Sequence, residues 1–333
     1  MSIVVIGESL MDEIVSPSQT IRRPGGSPYN TAIALGKLER NVTLVTDFGN
    51  DDDGSILASQ AQDSHVSLWM RPAPQRTDAT MVAHSVADDA PYAESHSSGS
   101  IQHGSGSLQL DFRMNIIPFP QGGTEKINVQ LLAPHAAAFG FLAAHMKPCD
   151  HEVREWIRNL RQTATIFYSP HVPTALFPDL PVLRATIEEN VKLADIVTID
   201  GDALAAIYPH SSYVEITARW FSAGAQLIII TLGADGVRIY PRGGSSLAIP
   251  VFPLPVIDTS GARDAFLAGL IDGITRSSLD GAANRDMIAR APSQTLAMIG
   301  SYAATAASIS VTHHGVRPPT REELSEQYIL YGA

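Results

Sequence analysis

The segment IDTSGARDAFLAGL, from Ile257 to Leu270, combines a turn of small residues with an amphipathic helix. Gly261 and Ala262 leave the first amide N–H groups of the helix exposed at the positive end of its macrodipole, where an anion can bind. A carboxylate at Asp264 could then accept a proton from a hydroxyl group that attacks a phosphoryl group held by these amides. Taken alone, the motif favours a simpler interpretation, in which Asp264 only complements the dipole.

A second motif, GGSPYNTAIALGKL, extends from Gly25 to Leu38. Ser27 is a favourable N-cap and Pro28 a favourable first helical residue, so the segment predicts a glycine pair directly before a helix. The glycines let a polar ligand approach bare backbone, and the Asn30 amide can both donate and accept hydrogen bonds. An ordinary loop-to-helix junction explains the same residues equally well.

Outside these motifs, short apolar runs alternate with segments of helical periodicity. The runs predict strands covered on both faces, because each is almost continuously apolar. The predicted strands are Ile3 to Ile6, Leu44 to Thr46, Ala137 to Leu142, Thr165 to Tyr168, Ile196 to Ile199 and Leu227 to Thr231. The alternation predicts a mainly parallel sheet with right-handed crossovers. The Ala-rich segment from Leu296 to Ser310 predicts a helix buried against others.

The region from Pro72 to Gly123 breaks this alternation, because it is rich in Ser, Gly, His and Pro. Alternating patches at Ala79 to Val86 and Leu108 to Phe112 predict strands with one face in solvent. We expect a small β appendage with a mobile tip around Ser97 to Gly106. A disordered surface loop is the alternative, although structureless loops of this length are uncommon.

Composition excludes several classes of function. The 333 residues suit one large domain, with or without a small appendage. The formal net charge of −11 makes a nucleic-acid backbone a poor partner. No apolar run approaches the roughly 18 residues of a membrane span, so we expect no membrane insertion. A lone cysteine, Cys149, and a start that lacks the features of a signal peptide predict a cytoplasmic protein.

The two motifs, in this order and far apart along the chain, resemble the two signatures of the PfkB family of sugar kinases, also called the ribokinase family. Gly7, followed five residues later by Asp12, resembles the family's first strand and its substrate-hydroxyl carboxylate. GNDDDG at Gly49 to Gly54 is similar to its G-x-D-x-x-G turn, and TLGADG at Thr231 to Gly236 to its nucleotide-side loop. The resemblance covers nearly the whole chain.

This resemblance implies a ribokinase-like α/β/α sandwich, with residues 1–333 forming one domain around a mainly parallel sheet of about eight strands. A small β lid would come from residues of about 11–23 and 72–123. The implied reaction is ATP-dependent phosphorylation of a hydroxyl group on a small sugar or sugar acid. Mg²⁺ would accompany ATP, a monovalent cation such as K⁺ activates some members, and lids of this kind often pack together in a homodimer.

The resemblance also assigns roles to individual residues. The sugar side would bind the acceptor, the turn before the helix would hold the γ-phosphate with Asp264 as the base, and the remaining loops would face ATP. The residues are Asp12, Gly25, Gly26 and Asn30 for the acceptor, Gly261, Ala262, Arg263 and Asp264 for the phosphoryl group, and Thr231, Gly233, Gly236, Asp258, Thr259 and the region from Ala304 to Gly315 for ATP.

Three departures from the family pattern fall at the expected site. Arg263 replaces the last glycine of the phosphate turn, where it could obstruct the turn, rotate outward or donate to a phosphate oxygen. We expect an outward rotamer and a modest gain in activity when Arg263 is replaced by glycine. Ala203 stands where the family has a metal-organising glutamate, which Asp200 or Asp202 could replace through a water molecule. The segment from Ser169 to Pro173 lacks the polar residues of many fructokinase-like members.

Because these departures occur together, a second function stays open. The protein could be a catalytically weak or inactive homologue that binds a sugar or a nucleotide and acts as a regulatory or interaction protein. A Rossmann-type oxidoreductase also fits the α/β alternation, but no G-x-G-x-x-G follows the first strand.

Overall fold

The computed structural model describes residues 1–15, 20–70, 79–85, 108–114, 132–147, 149–171, 176–177 and 179–331. The strands are β1 (Ser2–Ile6), β2 (Leu10–Val15), β3 (Thr20–Gly25), β4 (Asn41–Val45), β5 (Val66–Trp69), β6 (Ala79–Ser85), β7 (Leu108–Met114), β8 (Ala136–Gly140), β9 (Thr165–Ser169), β10 (Ile196–Asp200), β11 (Leu227–Thr231), β12 (Val237–Pro241) and β13 (Leu247–Ile249). The helices are α1 (Ser27–Lys37), α2 (Asp52–Asp63), α3 (Cys149–Leu160), α4 (Leu180–Val191), α5 (Gly201–Ile207), α6 (Tyr213–Ala223), α7 (Ala262–Arg276), α8 (Arg285–Ala289), α9 (Ser293–Ser310) and α10 (Arg321–Tyr331).

Within these residues, nine strands form the central sheet in the order β13-β12-β11-β10-β9-β8-β1-β4-β5. The strands from β11 to β5 are parallel, and β12 and β13 extend one edge in antiparallel orientation. All six strands predicted from apolar runs are present. The resemblance implied about eight strands, and the antiparallel edge accounts for the larger number.

Helices cover both faces of this sheet. Along β1, Ile3 and Val5 pack into a core with α1, α7 and α9, whereas Val4 and Ile6 pack into a second core with α3, α4, α5 and α6. Successive side chains of a strand point to opposite faces, so a run that is apolar throughout must be covered on both. The three-layer α/β/α fold is thereby confirmed.

The four-stranded second sheet has the order β3-β2-β6-β7. In it β2 is antiparallel to β3 and parallel to β6, and β6 is antiparallel to β7. Both predicted strands of the β appendage are therefore present. Residues 72–78, 86–107 and 115–123, which include the expected mobile tip, lie outside the described residues. The limits of the lid and the single-domain organisation stay predictions.

The central helices α7 and α9 are packed together more closely than their sequences indicated. The prediction of an amphipathic α7 is wrong, since every residue from Asp264 to Thr275 is buried. A Cβ atom at Gly269 would lie 2.9 Å from the Cα atom of Ala303, so α9 contacts α7 backbone to backbone. The predicted burial of α9 is confirmed. Over the part of the chain described here, no helix combines the length and the apolar character of a membrane span.

Candidate active site

The turn before α7 has the conformation that its small residues suggested. Gly261 is the N-cap, with a left-handed φ of 72°, and a Cβ atom there would lie 2.8 Å from a methyl group of Val316. Glycine is required on both counts. The Ala262 amide donates to the Thr259 carbonyl, which closes the turn. The amides of Arg263 and Asp264 that follow lie in the first turn of the helix, at the positive end of its macrodipole, where an anion can bind.

Asp264 is buried in this first turn and accepts hydrogen bonds from the other motif. Ser27 Oγ donates to its Oδ1 over 2.5 Å, and Asn30 Nδ2 donates to its Oδ2 over 3.0 Å. The N-terminus of α1 therefore lies against the N-terminus of α7. The structure thus brings together the two motifs that the sequence singled out.

The prediction that Ser27 caps α1 is wrong. Gly26 is the N-cap, with φ 96°, and no side chain caps the helix. Ser27 is instead the first helical residue, which frees its hydroxyl group to bond Asp264.

The two glycines before α1 lie in close contact with Asp12 and Glu8, and at Gly26 the contact is with backbone. A Cβ atom at Gly25 would lie 2.3 Å from Asp12 Oδ2, and one at Gly26 would lie 2.7 Å from the carbonyl oxygen of Glu8. Asp12 is buried on β2 and lies directly over the Gly25 backbone. The predicted acceptor residues Asp12, Gly25, Gly26 and Asn30 therefore form one continuous surface that ends at Asp264.

Glu8 is a member of this site that the sequence analysis missed. Its carboxylate accepts hydrogen bonds from the amides of Leu142 and Ala143, over 3.3 and 3.0 Å. Burial, with a smaller contribution from the negative charge of Asp264, raises the pKa of the Glu8 carboxyl group from 4.5 to about 7 despite these bonds. One signal was available, since Glu8 follows the first strand and the carboxyl ends of parallel strands collect ligand-binding residues.

The raised pKa of Glu8 makes the stability of the protein depend on pH. The folded state holds the Glu8 proton up to about pH 7, whereas the unfolded chain releases it near 4.5. Glu8 therefore contributes stability below pH 4.5 that is lost as the pH rises through 7. We expect Glu8→Gln to remove this loss, so that the free energy of unfolding in urea depends less on pH between 5 and 8.

Glu322→Gln removes an exposed carboxylate of α10 and serves as the matched control. An unchanged pH dependence in Glu8→Gln would show that the Glu8 carboxyl group titrates alike in both states.

On the side predicted to face the nucleotide, the carboxyl ends of β9, β10 and β11 and the first turn of α7 enclose a cleft. Ser169, Thr198, Asp200, Thr231 and Arg263 are among the residues that line it. The expected outward rotamer of Arg263 is not what the structure shows, because Nη1 of its guanidinium group is buried. The cationic side chain therefore lies inside the cleft, beside the strand ends.

The two candidate metal-binding carboxylates differ in position. Asp200 lines the cleft and caps α5, where its Oδ1 accepts the amides of Asp202 and Ala203 over 2.9 and 3.3 Å. Asp202 is exposed. No group of three or more His, Cys, Asp or Glu side chains that could hold a metal ion occurs among the described residues.

The loop between β11 and β12 and the turn at Asp258 complete this side. Gly236 has φ 93°, and a Cβ atom there would lie 2.2 Å from the Ile249 carbonyl oxygen, whereas Gly233 borders open space. Asp258 is buried, and its Oδ1 accepts both the amide and the hydroxyl group of Ser260, over 2.9 and 2.6 Å. Its Oδ2 accepts the Gly315 amide over 2.8 Å, so Asp258 joins the phosphate turn to the loop after α9.

Comparison with known proteins gives a consistent result. The family model for the pfkB family carbohydrate kinases matches residues 122–323. A fructokinase of Rhizobium leguminosarum bv. trifolii is 24% identical over 83% of this chain and 81% of its own length. Fructokinase-1 of Zea mays is 26% identical over 82% of this chain and 83% of its own length.

Solved structures share the fold. A fructokinase from Xylella fastidiosa with bound ATP superposes with a TM-score of 0.81 at 18% identity, covering 100% of this chain and 99% of its own. A fructokinase from Vibrio cholerae, bound to fructose, ADP and a calcium ion, has a TM-score of 0.72 at 20% identity, covering 98% of each chain.

Proposed function

Because the chain belongs to the pfkB family of carbohydrate kinases, we propose that it transfers the γ-phosphoryl group of ATP to a hydroxyl group of a small sugar or sugar acid, with Asp264 as the base. The contact of Ser27 and Asn30 with Asp264 carries this proposal. It joins an acceptor surface to a carboxylate that stands in the first turn of an anion-binding helix.

In the proposed reaction, the acceptor hydroxyl group lies beside Asp264 and transfers its proton to a carboxylate oxygen. The hydroxyl oxygen forms a bond to the γ-phosphorus as the bond to the ADP oxygen breaks in line. The amides of the first turn of α7 hold the equatorial oxygens of the transferring group. The Arg263 guanidinium group supplies positive charge from the cleft, where a charge-assisted hydrogen bond to phosphate is strong.

The names of the relatives suggest which acceptor to test first. Fructokinases from a bacterium and a plant are similar along most of the chain, and the Vibrio cholerae structure holds fructose. We therefore propose fructose as the first candidate.

Asp200 fits a divalent cation that arrives with the nucleotide, because Mg²⁺ is commonly held by one or two carboxylates together with substrate phosphates. Bound there, Mg²⁺ would neutralise charge on the β- and γ-phosphates. Within the described residues we assign no set of oxygen ligands to a monovalent cation.

Location in the cytoplasm and assembly as a homodimer stay predictions. Light scattering in solution measures the oligomeric state.

ADP release with a panel of pentoses, hexoses and 2-keto sugar acids tests the proposed reaction. We expect turnover with at least one of these sugars. If well-folded protein releases no ADP with any of them, the proposal is contradicted. The rival function, an inactive binding protein, predicts a different result in calorimetry, namely sugar binding without ATP binding. The intact hydrogen bonds of Asp264 give this rival no support.

Asn30→Ala should act mainly on the acceptor. The variant removes an amide that faces both the acceptor surface and Asp264. We expect the KM for the acceptor to rise by up to about ten-fold, since a hydrogen bond to a neutral hydroxyl group is worth about 0.5–1.5 kcal/mol, while the KM for ATP changes by less than about two-fold. Initial rates at varied acceptor and ATP concentrations separate the two. A change confined to the KM for ATP would show that α1 binds ATP and that its assignment to the acceptor is wrong.

A further inference from the structure

Two consecutive arginines of β3 contact residues outside the second sheet. Successive side chains of a strand point to opposite faces, so Arg22 and Arg23 diverge. Arg22 is half-exposed and donates to Asp53 over 2.8 Å, at the start of α2. Arg23 has only 16% of its side chain exposed and donates from Nη2 to Ser260 Oγ over 2.9 Å.

Arg23 thereby reaches the residues that shape the phosphate turn. Its Nη1 lies 3.8 Å from Asp258 Oδ2, the oxygen that also accepts the Gly315 amide. A Cβ atom at Gly315 would lie 3.1 Å from the same Nη1, so the guanidinium group packs on the Gly315 backbone. One side chain therefore contacts both the turn that precedes Gly261 and the loop that follows α9.

The backbone of Arg23 lies next to the predicted acceptor residues. In the register of β2 and β3, Arg23 pairs with Asp12, and directly paired residues of neighbouring strands face the same side of a sheet. The strand ends two residues later at Gly25, which Asp12 covers. Arg23 thus lies between the acceptor residues and the phosphate turn, and it contacts the turn directly.

We propose that Arg23 is a positioning residue that couples the acceptor-binding strands to the phosphate turn. It acts through Asp258 and Ser260, which hold the turn in the conformation that presents the first amides of α7. An arginine suits this role because its planar guanidinium group holds its donors in a rigid fork, whereas the donors of an ammonium group rotate on a flexible stem. The consequence for turnover rests on the proposed function, whereas the effect on the turn itself does not.

The first experiment measures hydrogen exchange of the backbone amides in the protein without ligands. We expect Arg23→Met to speed exchange of the amides from Gly261 to Ala265 by about ten-fold, because a charge-assisted hydrogen bond that restrains the turn is lost. Arg22→Met is the matched control and should leave these amides at wild-type rates. Equal effects of the two variants, or none in Arg23→Met, would overturn the proposal.

Arg23→Lys keeps the charge but not the rigid fork of donors, and it covers the case in which Arg23→Met does not fold. In this variant we expect the amides from Gly261 to Ala265 to exchange faster than in the wild type and more slowly than in Arg23→Met. The melting temperature should stay close to that of the wild type. Amide exchange at the wild-type rate in this variant would show that the role of Arg23 does not depend on the geometry of its guanidinium group.

The second experiment concerns turnover. We expect Arg23→Met to lower kcat by about ten-fold with the KM for the acceptor within a few-fold, since the turn and not the acceptor surface loses its restraint. A rise in the KM for the acceptor with unchanged kcat would instead make Arg23 an acceptor-binding residue. If the wild-type protein phosphorylates no sugar, the proposed function fails, and the exchange experiment still decides the role of Arg23.

Discussion

Replacing Asp264 with asparagine is expected to lower kcat by about 10²–10⁴-fold, the usual effect of losing a general base. The carboxamide retains an oxygen that can accept the hydrogen bond from Asn30 Nδ2. Its amino group can donate to Ser27 Oγ, because a hydroxyl group also accepts. The geometry of the site is thereby kept, and the affinity for the acceptor should stay within a few-fold.

Steady-state kinetics and acceptor calorimetry on the same preparation measure both quantities. Asp286→Asn makes the same chemical change on the exposed face of α8 and should leave kcat unaltered. Full activity in the Asp264 variant would remove this carboxylate from the mechanism.

Replacing Arg263 with glycine is expected to lower kcat/KM for ATP by about ten- to a hundred-fold. A modest gain was predicted from the sequence, on the premise that the side chain rotates outward. The structure instead places the guanidinium group inside the cleft with Asp200 and Thr231, where the phosphates of ATP would lie. The variant therefore loses a charge-assisted donor worth about 1.5–3 kcal/mol.

Glycine in a helix also costs stability, by about 1 kcal/mol. Arg276→Gly introduces the same loss in the last turn of α7 and separates this effect from the chemistry. A gain in kcat/KM for Arg263→Gly, with a normal thermal melt, would show that the side chain obstructs the nucleotide.

The central sheet could be predicted from the sequence because its strands are buried on both faces. A run such as Leu227 to Thr231 is apolar except for its last residue, and its observed bounds agree with the prediction. The antiparallel strand β12, next to the edge strand β13, gave no such signal, because Arg238 and Tyr240 are exposed or half-buried between buried residues. The character of α7 was also beyond the sequence, since its burial depends on how closely the Ala-rich α9 packs against Gly269.

The sequence predicted the separate motifs of the candidate site but not the side-chain contacts between them. Local rules assigned Ser27 to a helix cap, whereas its observed partner is 237 residues away. Glu8 and Arg23 were missed for a similar reason. Apart from the place of Glu8 just after the first strand, nothing in the sequence marks these residues, and only the fold places them beside Leu142 and Ser260.

The hydrogen bond between Ser27 and Asp264 also bears on the protein when ATP is bound and no sugar is present. A kinase that holds ATP without an acceptor can activate a water molecule and hydrolyse the ATP. In the proposed mechanism, the two donors from α1 hold both oxygens of this carboxylate and fix the base toward the acceptor surface. A sugar adds contacts along that surface when it meets the carboxylate, whereas a water molecule has none to add. We therefore expect slow hydrolysis of ATP when no sugar is present.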